Sequence, residues 1–272
     1  MNTFFSSIDW TQAWYASVRP AAQELLMSDD WRSHINTCAQ KKDVRNQRQQ
    51  AIRFVAQDAL PDGAAYETFI STTGQVPTRE NLHDFFNALV WLTFPKIKQQ
   101  LNALQAAQIA QHGIGKSRGA ARDAATIFDE NSALLVVENS VDGDGLIAAL
   151  RAHQWQQAFI HYRPMFGQQA EVWAFGHALM EKLVQPYKAI TAHAYVVRVE
   201  PDFFTLDADA KRDVLDQLVA QGLASLSLST SDYTPLPVLG LPGWWVVQDE
   251  VFYADTQVFR AKRVPQLAPS EI

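Results

Sequence analysis

Apolar residues at Leu82, Phe85, Phe86, Leu89 and Leu92 recur at the 3.6-residue period of one helix face. Thr78 supplies a cap ahead of them, and Pro95 closes this helix and opens another, striped by Ile97, Leu101 and Leu104 and stopped by Gly113. Together they predict a helical hairpin around 79–111. Before it, residues 10–27 and 40–50 read as helices. Ile52–Val55 and Tyr66–Ile70 read as strands of a hairpin around the turn Leu60-Pro61-Asp62-Gly63.

Beyond the glycine-rich loop 113–119 the pattern predicts a short strand pair, Thr126–Phe128 and Leu134–Glu138, about a turn at Asp129–Ser132. Helices and strands then alternate: helix Leu146–Gln154, strand Ala158–His161, helix Val172–Val184, strand Ala194–Val199 and helix Ala208–Ala220. That order predicts an α/β fold, mixed and open to an α+β arrangement, with a partly parallel sheet flanked by helices. Residues 235–247, with three prolines and the pair Trp244-Trp245, are too apolar for a tail and too broken for a helix. They read as an irregular aromatic strap closing the core.

The 272 residues, 47% hydrophobic and 19% charged, suffice for a large core and exclude global disorder. We expect one unit over 1–272, with a soft division into a helical and hairpin lobe, 1–132, and an α/β lobe, 133–272. The unbroken apolar runs, such as Ala133–Val137, are about a quarter of the roughly 20 residues a membrane-spanning helix needs. No membrane association and no export signal are expected. The single cysteine, Cys38, excludes an internal disulfide and fits a reducing cytoplasm.

The net charge of −6 argues against nucleic acid as a partner. Residues 1–132 carry 13 basic and 13 acidic side chains, leaving 10 and 16 for 133–272, so an anion site belongs in the first half. The densest basic stretch, Lys41, Lys42, Arg45, Arg48 and Arg53, lacks interleaved aromatic residues and reads as a solvated helix face.

Four stretches carry a resemblance: Thr73–Trp91; Arg118–Asp123 with Phe128–Asn131; Phe175–Leu183; and Val238–Trp245. In combination they resemble an uncharacterised bacterial family, a domain of unknown function spanning nearly the whole chain. The resemblance implies a single full-length unit and assigns no activity, cofactor or catalytic residue.

Three groups of residues have the chemistry of a site. On the predicted 79–87 helix, Arg79, His83 and Asn87 stack at i, i+4 and i+8 beside the apolar stripe, with Lys98, Asn102 and Gln105 at compatible spacing on the next helix. In the loop after Gly113, Lys116, Arg118 and Arg122 bring cationic donors among glycines, although Ala110 stands where a phosphate-binding P-loop needs glycine. The carboxylates Asp123, Asp129 and Glu130 crowd just downstream, and together with Asp84 could hold Mg²⁺ or supply a general base. Finally, His177 and Glu181 at i, i+4 with His193 form a thin candidate metal set.

The leading expectation is an enzyme acting by general acid/base chemistry on an anionic small substrate, carrying phosphate or carboxylate. His83, Asp84 and Asp123 would move protons. Arg79, Arg118 and Arg122 would hold the anion, and Asn87 and Asn102 would orient it. A non-catalytic binding or scaffold module, with these residues as a structural polar network, and a metal-dependent hydrolase remain open. Convergence around an open cavity separates the first from the second.

Overall fold

In a computed structural model, the described residues are 3–26, 28, 30–113, 119–225 and 228–262. The central sheet has the order β4-β3-β5-β6. Strands β3 (Ser132–Glu138) and β5 (Thr191–Val199) run parallel, while β4 (Ala170–Ala174) and β6 (Tyr233–Pro237) pair antiparallel on the two outer sides. The apolar run Ala133–Val137 is buried throughout, as an interior strand covered on both faces requires. The fold is therefore mixed α/β, with the parallel pair at the sheet's centre. Among the described residues no helix is long and apolar enough to cross a membrane.

Helices α4 (Leu82–Thr93) and α5 (Pro95–His112) follow one another through the single residue Phe94, with Pro95 opening α5 and Gly113 closing it at φ 76°. The α4 cap is Asn81, whose side chain accepts from Asp84 N at 2.8 Å. Thr78 belongs to strand β2 (Gln75–Thr78), and its hydroxyl donates to the Val76 carbonyl. Arg79 thus precedes the helix rather than riding on it. At α5 the first free backbone groups, Lys96 N and Ile97 N, donate to Asp216 on α9 (Ala208–Ser225), at 3.0 and 2.9 Å.

The predicted 52–70 hairpin does not form. Tyr66–Thr73 is helix α3, and strand β1 (Arg53–Ala56) pairs in parallel with β2. Tyr66, Thr68, Phe69 and Ile70 favour strands as residue types, but Gly74 accepts a left-handed conformation, φ 71°, and its N–H caps the Ile70 carbonyl. An added Cβ at Gly74 would also lie 2.6 Å from Ala51 O.

Residues 42–50 are likewise not helical. The buried Asn46 accepts from Arg48 N and Gln50 N and donates to the Ile70 and Ser71 carbonyls, so its side chain organises a loop in competition with helix. The helix here is α2 (Trp31–Lys41), ending at the first residue of the basic run. The 10–27 expectation resolves into a short turn, Ala13–Tyr15, and α1 (Arg19–Leu26).

Three further elements differ. The segment 120–131 is helix α6, with Ala124, Ala125 and Phe128 buried on one face, so no strand forms at Thr126–Phe128. After α7 (Val141–Arg151), Gln157–His161 makes a wide helical turn that buries Ala158 and Phe159. The predicted 172–184 helix splits into strand β4 and the short helix α8 (His177–Lys182). One cluster of buried side chains runs from Ile8 to Phe259, across the soft division at 132, and Trp244 and Trp245 of the C-terminal strap pack against it.

Candidate functional site

Segments far apart in sequence enclose a cleft of about 300 Å³: the start of α3, the β2–α4 junction, the end of α6 and the start of α8. Tyr66, Glu67, Arg79, His83, Asp84, Asn87, Asp129, Glu130 and His177 contribute its polar lining. The approach of α8 to α6 depends on Gly176. A Cβ there would lie 2.5 Å from Glu130 O and 2.6 Å from Asn131 N, both backbone atoms that cannot rotate away. Gly176 therefore sets His177 beside Asp129. Replacing Gly176 with alanine is expected to cost about 1–3 kcal/mol of stability and to separate His177 from His83. Urea denaturation together with imidazole NMR signals checks both outcomes.

Behind the cleft lies a buried ion pair. The Lys98 ammonium donates to Asp129 Oδ1 at 2.5 Å and to Asn87 Oδ1 at 2.8 Å, and stands 5.3 Å from the centre of the Trp91 ring. Asn87 in turn donates to the Tyr66 hydroxyl. Burial alone would raise the Asp129 carboxyl, but the Lys98 ammonium, joined by His177 once that ring is protonated in acid, overcomes it and holds the group below its ordinary value. Glu67 moves the other way. Burial, then the Asp129 charge, pushes its carboxyl up, against Lys98, an Asn102 hydrogen bond and Arg122. Asn102 fixes Glu67 through its backbone carbonyl, 2.9 Å, and its Oε2, 2.6 Å. Two carboxylates of one cleft are thus driven apart in acidity, the arrangement by which one site separates an acid from a base.

Two imidazoles form the opposite wall. His83 Nδ1 contacts Glu181 Oε2 at 2.9 Å, and His83 Nε2 lies 3.0 Å from His177 Nε2. A carboxylate only accepts, so His83 Nδ1 carries the proton of the first link. With both rings neutral, His83 Nε2 is then the acceptor and His177 Nε2–H the donor. His177 Nδ1 has no partner at full hydrogen-bond geometry, and faces Asp129 through Oδ2 at 3.8 Å and through the backbone, which favours a proton on the ring. Burial lowers His177 to about 4, with Asp129 opposing and Lys98 reinforcing, so the ring is neutral at neutral pH. The chain Glu181–His83–His177–Asp129 is one proton short of closing.

The expected site residues divide. His83, Asp84, Asn87 and Arg79 line the cleft, and Asn102 supports it from behind. Arg79 is committed: its backbone N, Nε and Nη2 all donate to Asp84, at 2.6, 3.0 and 3.1 Å. Asp84 is correspondingly engaged as a brace for Arg79. Arg122 acts on Glu67 at a distance without lining the cleft, and Asp123 is exposed on α6. Arg118, with Lys116, lies outside the described residues.

Of the metal candidates, His177 and Glu181 both meet His83, whereas His193 is bonded to Asn131 Nδ2. Among the described residues, no group of three or more His, Cys, Asp or Glu is placed to hold a metal ion. Tyr66 and Glu67 were missed because their segment reads as strand. As a helix start, the same residues aim at the cleft.

Three of the four stretches that carry the family resemblance contribute residues to this cleft: 73–91, 128–131 and 175–183. The model of a family described as Protein of unknown function (DUF3025) matches residues 52–263, a span that contains every cleft residue. No curated protein and no solved structure matches the chain.

Proposed function

The chain belongs to the DUF3025 family, which carries no assigned activity, and from its cleft we propose an enzyme that moves protons on a small, polar substrate. The observation that carries this reading is the imidazole pair: a buried, neutral His177 with one ring nitrogen unpartnered, on the wall of an open cleft. A stability-driven network would satisfy that nitrogen. Here it is buried against Asp129, whose charge would balance a proton taken up by the ring.

Glu67, whose carboxyl burial shifts upward, is the complementary group of the cleft. His83 fixes the His177 tautomer, and Glu181, partly exposed, links the pair to solvent. Lys98 keeps Asp129 ionised throughout. The anion-binding element of the original expectation has less support: Arg79 is held by Asp84, and Arg122 does not line the cleft. The substrate is therefore a polar molecule with no required negative charge. A cytoplasmic setting in a bacterium belongs to the same reading, with the lone buried thiol of Cys38 needing no oxidised partner.

The mutual hydrogen bonding of Lys98, Asn87, Tyr66 and Asp129 is what a purely structural module would also show. A thermal-shift screen of neutral and charged metabolites separates the two readings, because a ligand of the native state raises the melting temperature by mass action. We expect hits whose shift is lost in Glu67→Gln and retained in Asp123→Ala. Turnover of a hit should disappear in His83→Gln while binding persists. Hits indifferent to Glu67→Gln, or a folded His83→Gln variant with undiminished turnover, would overturn the assignment.

A further inference from the structure

A second cavity, of about 430 Å³, runs along the free side of β4, between the N-terminal segment and the C-terminal strap, and shares no lining residue with the His83–His177 cleft. Its walls include four aromatic side chains, Trp14, Phe166, Trp173 and Trp244.

The backbone at its base is more informative than the walls. Pairing to β3 is fixed at both ends of β4, by Phe175 N to Ser132 O and by Glu138 N to Gln169 O. Alternation then turns residues 171 and 173 toward β3, and 170, 172 and 174 toward the cavity. At the two outer positions the carbonyls already have partners on that side: Gly167 N donates to the Ala170 carbonyl at 2.8 Å, and the Ser17 hydroxyl donates to the Ala174 carbonyl at 2.9 Å. Between them, Val172 presents one N–H and one C=O with no hydrogen-bond partner among the described residues. The edge strand is thus blocked at its two outer carbonyls and leaves both an N–H and a C=O open at Val172.

The geometry points to a binding site for one residue of an extended, uncharged, amide-bearing ligand, which would exchange a pair of hydrogen bonds with Val172 and lay an apolar side group against the indoles. Charge sets the neutral class. The cation lining the cavity, Lys211, is committed to Glu171 at 2.6 Å, and the other Glu171 oxygen accepts from Trp173 Nε1 at 3.1 Å. Neither a terminal carboxylate nor an amine finds a free counter-charge there. The occupant is an extended peptide segment, whose seated residue supplies both main-chain groups.

The test uses the full chain, with N-acetyl-phenylalanine methylamide as the probe and amide NMR as the readout. The expected result is a saturable, one-to-one shift of the Val172 N–H signal, with the Trp14 and Trp244 indole signals moving at the same midpoint. Methylation of the probe's phenylalanine nitrogen removes its donor and should weaken binding about tenfold. Ala16→Trp, at an exposed position on the rim, should block binding while the fold is retained. Absence of a saturable shift at Val172 would overturn the inference. So would equal affinity for the N-methylated probe, or shifts confined to the His83–His177 cleft.

Discussion

Replacing Lys98 with methionine is expected to lower stability by about 3–5 kcal/mol, the cost of leaving one member of a buried ion pair alone. The side chains of Lys98 and Asp129 are only 6% and 10% exposed, so water cannot take over the lost contacts. Methionine fills much of the lysine volume, which limits any cavity contribution. Two acceptors lose their donor at once, Asp129 Oδ1 and Asn87 Oδ1.

Without the ammonium, burial is no longer opposed by the pair, and the Asp129 carboxyl takes up a proton at higher pH than before. The variant should therefore recover stability relative to the parent as pH falls. A Lys98→Met/Asp129→Leu double variant should regain most of the loss, because it removes the stranded charge instead of leaving it buried. Urea midpoints for the three proteins, at pH 7.5 and 5, decide the matter. A Lys98→Met loss below about 1 kcal/mol, typical of exposed pairs, would show that the network is solvated.

How far this network was legible in sequence depends on what each residue needs from the chain. Lys98 and Asn102 sit at helical spacing on α5, and His83 and Asn87 at i, i+4 on α4, so local periodicity was enough to associate them. His177 and Glu181 were visible as a pair on one helix for the same reason. What periodicity does not reveal is that the two pairs meet, since His83 and His177 are 94 residues apart and joined through the close approach at Gly176. Glu67 was hidden by residue type. A Tyr-Glu-Thr-Phe-Ile run favours strand intrinsically, and packing together with the Gly74 cap makes it a helix. β3 was read correctly because burial on both faces leaves an unbroken apolar stretch that needs no partner to be recognised, whereas β5 alternates buried and half-buried positions and was read only from Ala194 onward. β4, at the edge and half-exposed, carries no such mark.

Between pH 6.5 and 4 two of the contributions to the stability of the parent protein should oppose each other, and the variants His177→Gln and Asp216→Asn should separate them. His177 falls from an ordinary 6.5 to about 4, chiefly by burial. Its folded form resists protonation, so its contribution is intact above pH 6.5 and is lost as pH falls toward 4. The shift corresponds to about 3 kcal/mol. Asp216 rises from 3.8 to about 6, again chiefly by burial, with the Ile97 and Lys96 N–H bonds opposing. Its folded form holds a proton more tightly than the unfolded chain. That contribution is full below about pH 4 and is lost as pH rises through 6, by a similar amount, about 3 kcal/mol.

The two slopes run against each other over the same range, one at the cleft and one at the start of α5. His177→Gln keeps an amide that can bond His83 but removes the titration, so relative to the parent it should gain about 3 kcal/mol on going from pH 7 to 4. Asp216→Asn should lose a comparable amount over the same interval, because its fixed amide gains nothing from acid. Chemical denaturation at half-unit steps reads both slopes directly. Parallel pH profiles for the parent and His177→Gln would mean that this imidazole is solvated in the folded protein, which would also remove the unpartnered nitrogen on which the acid/base reading of the cleft rests.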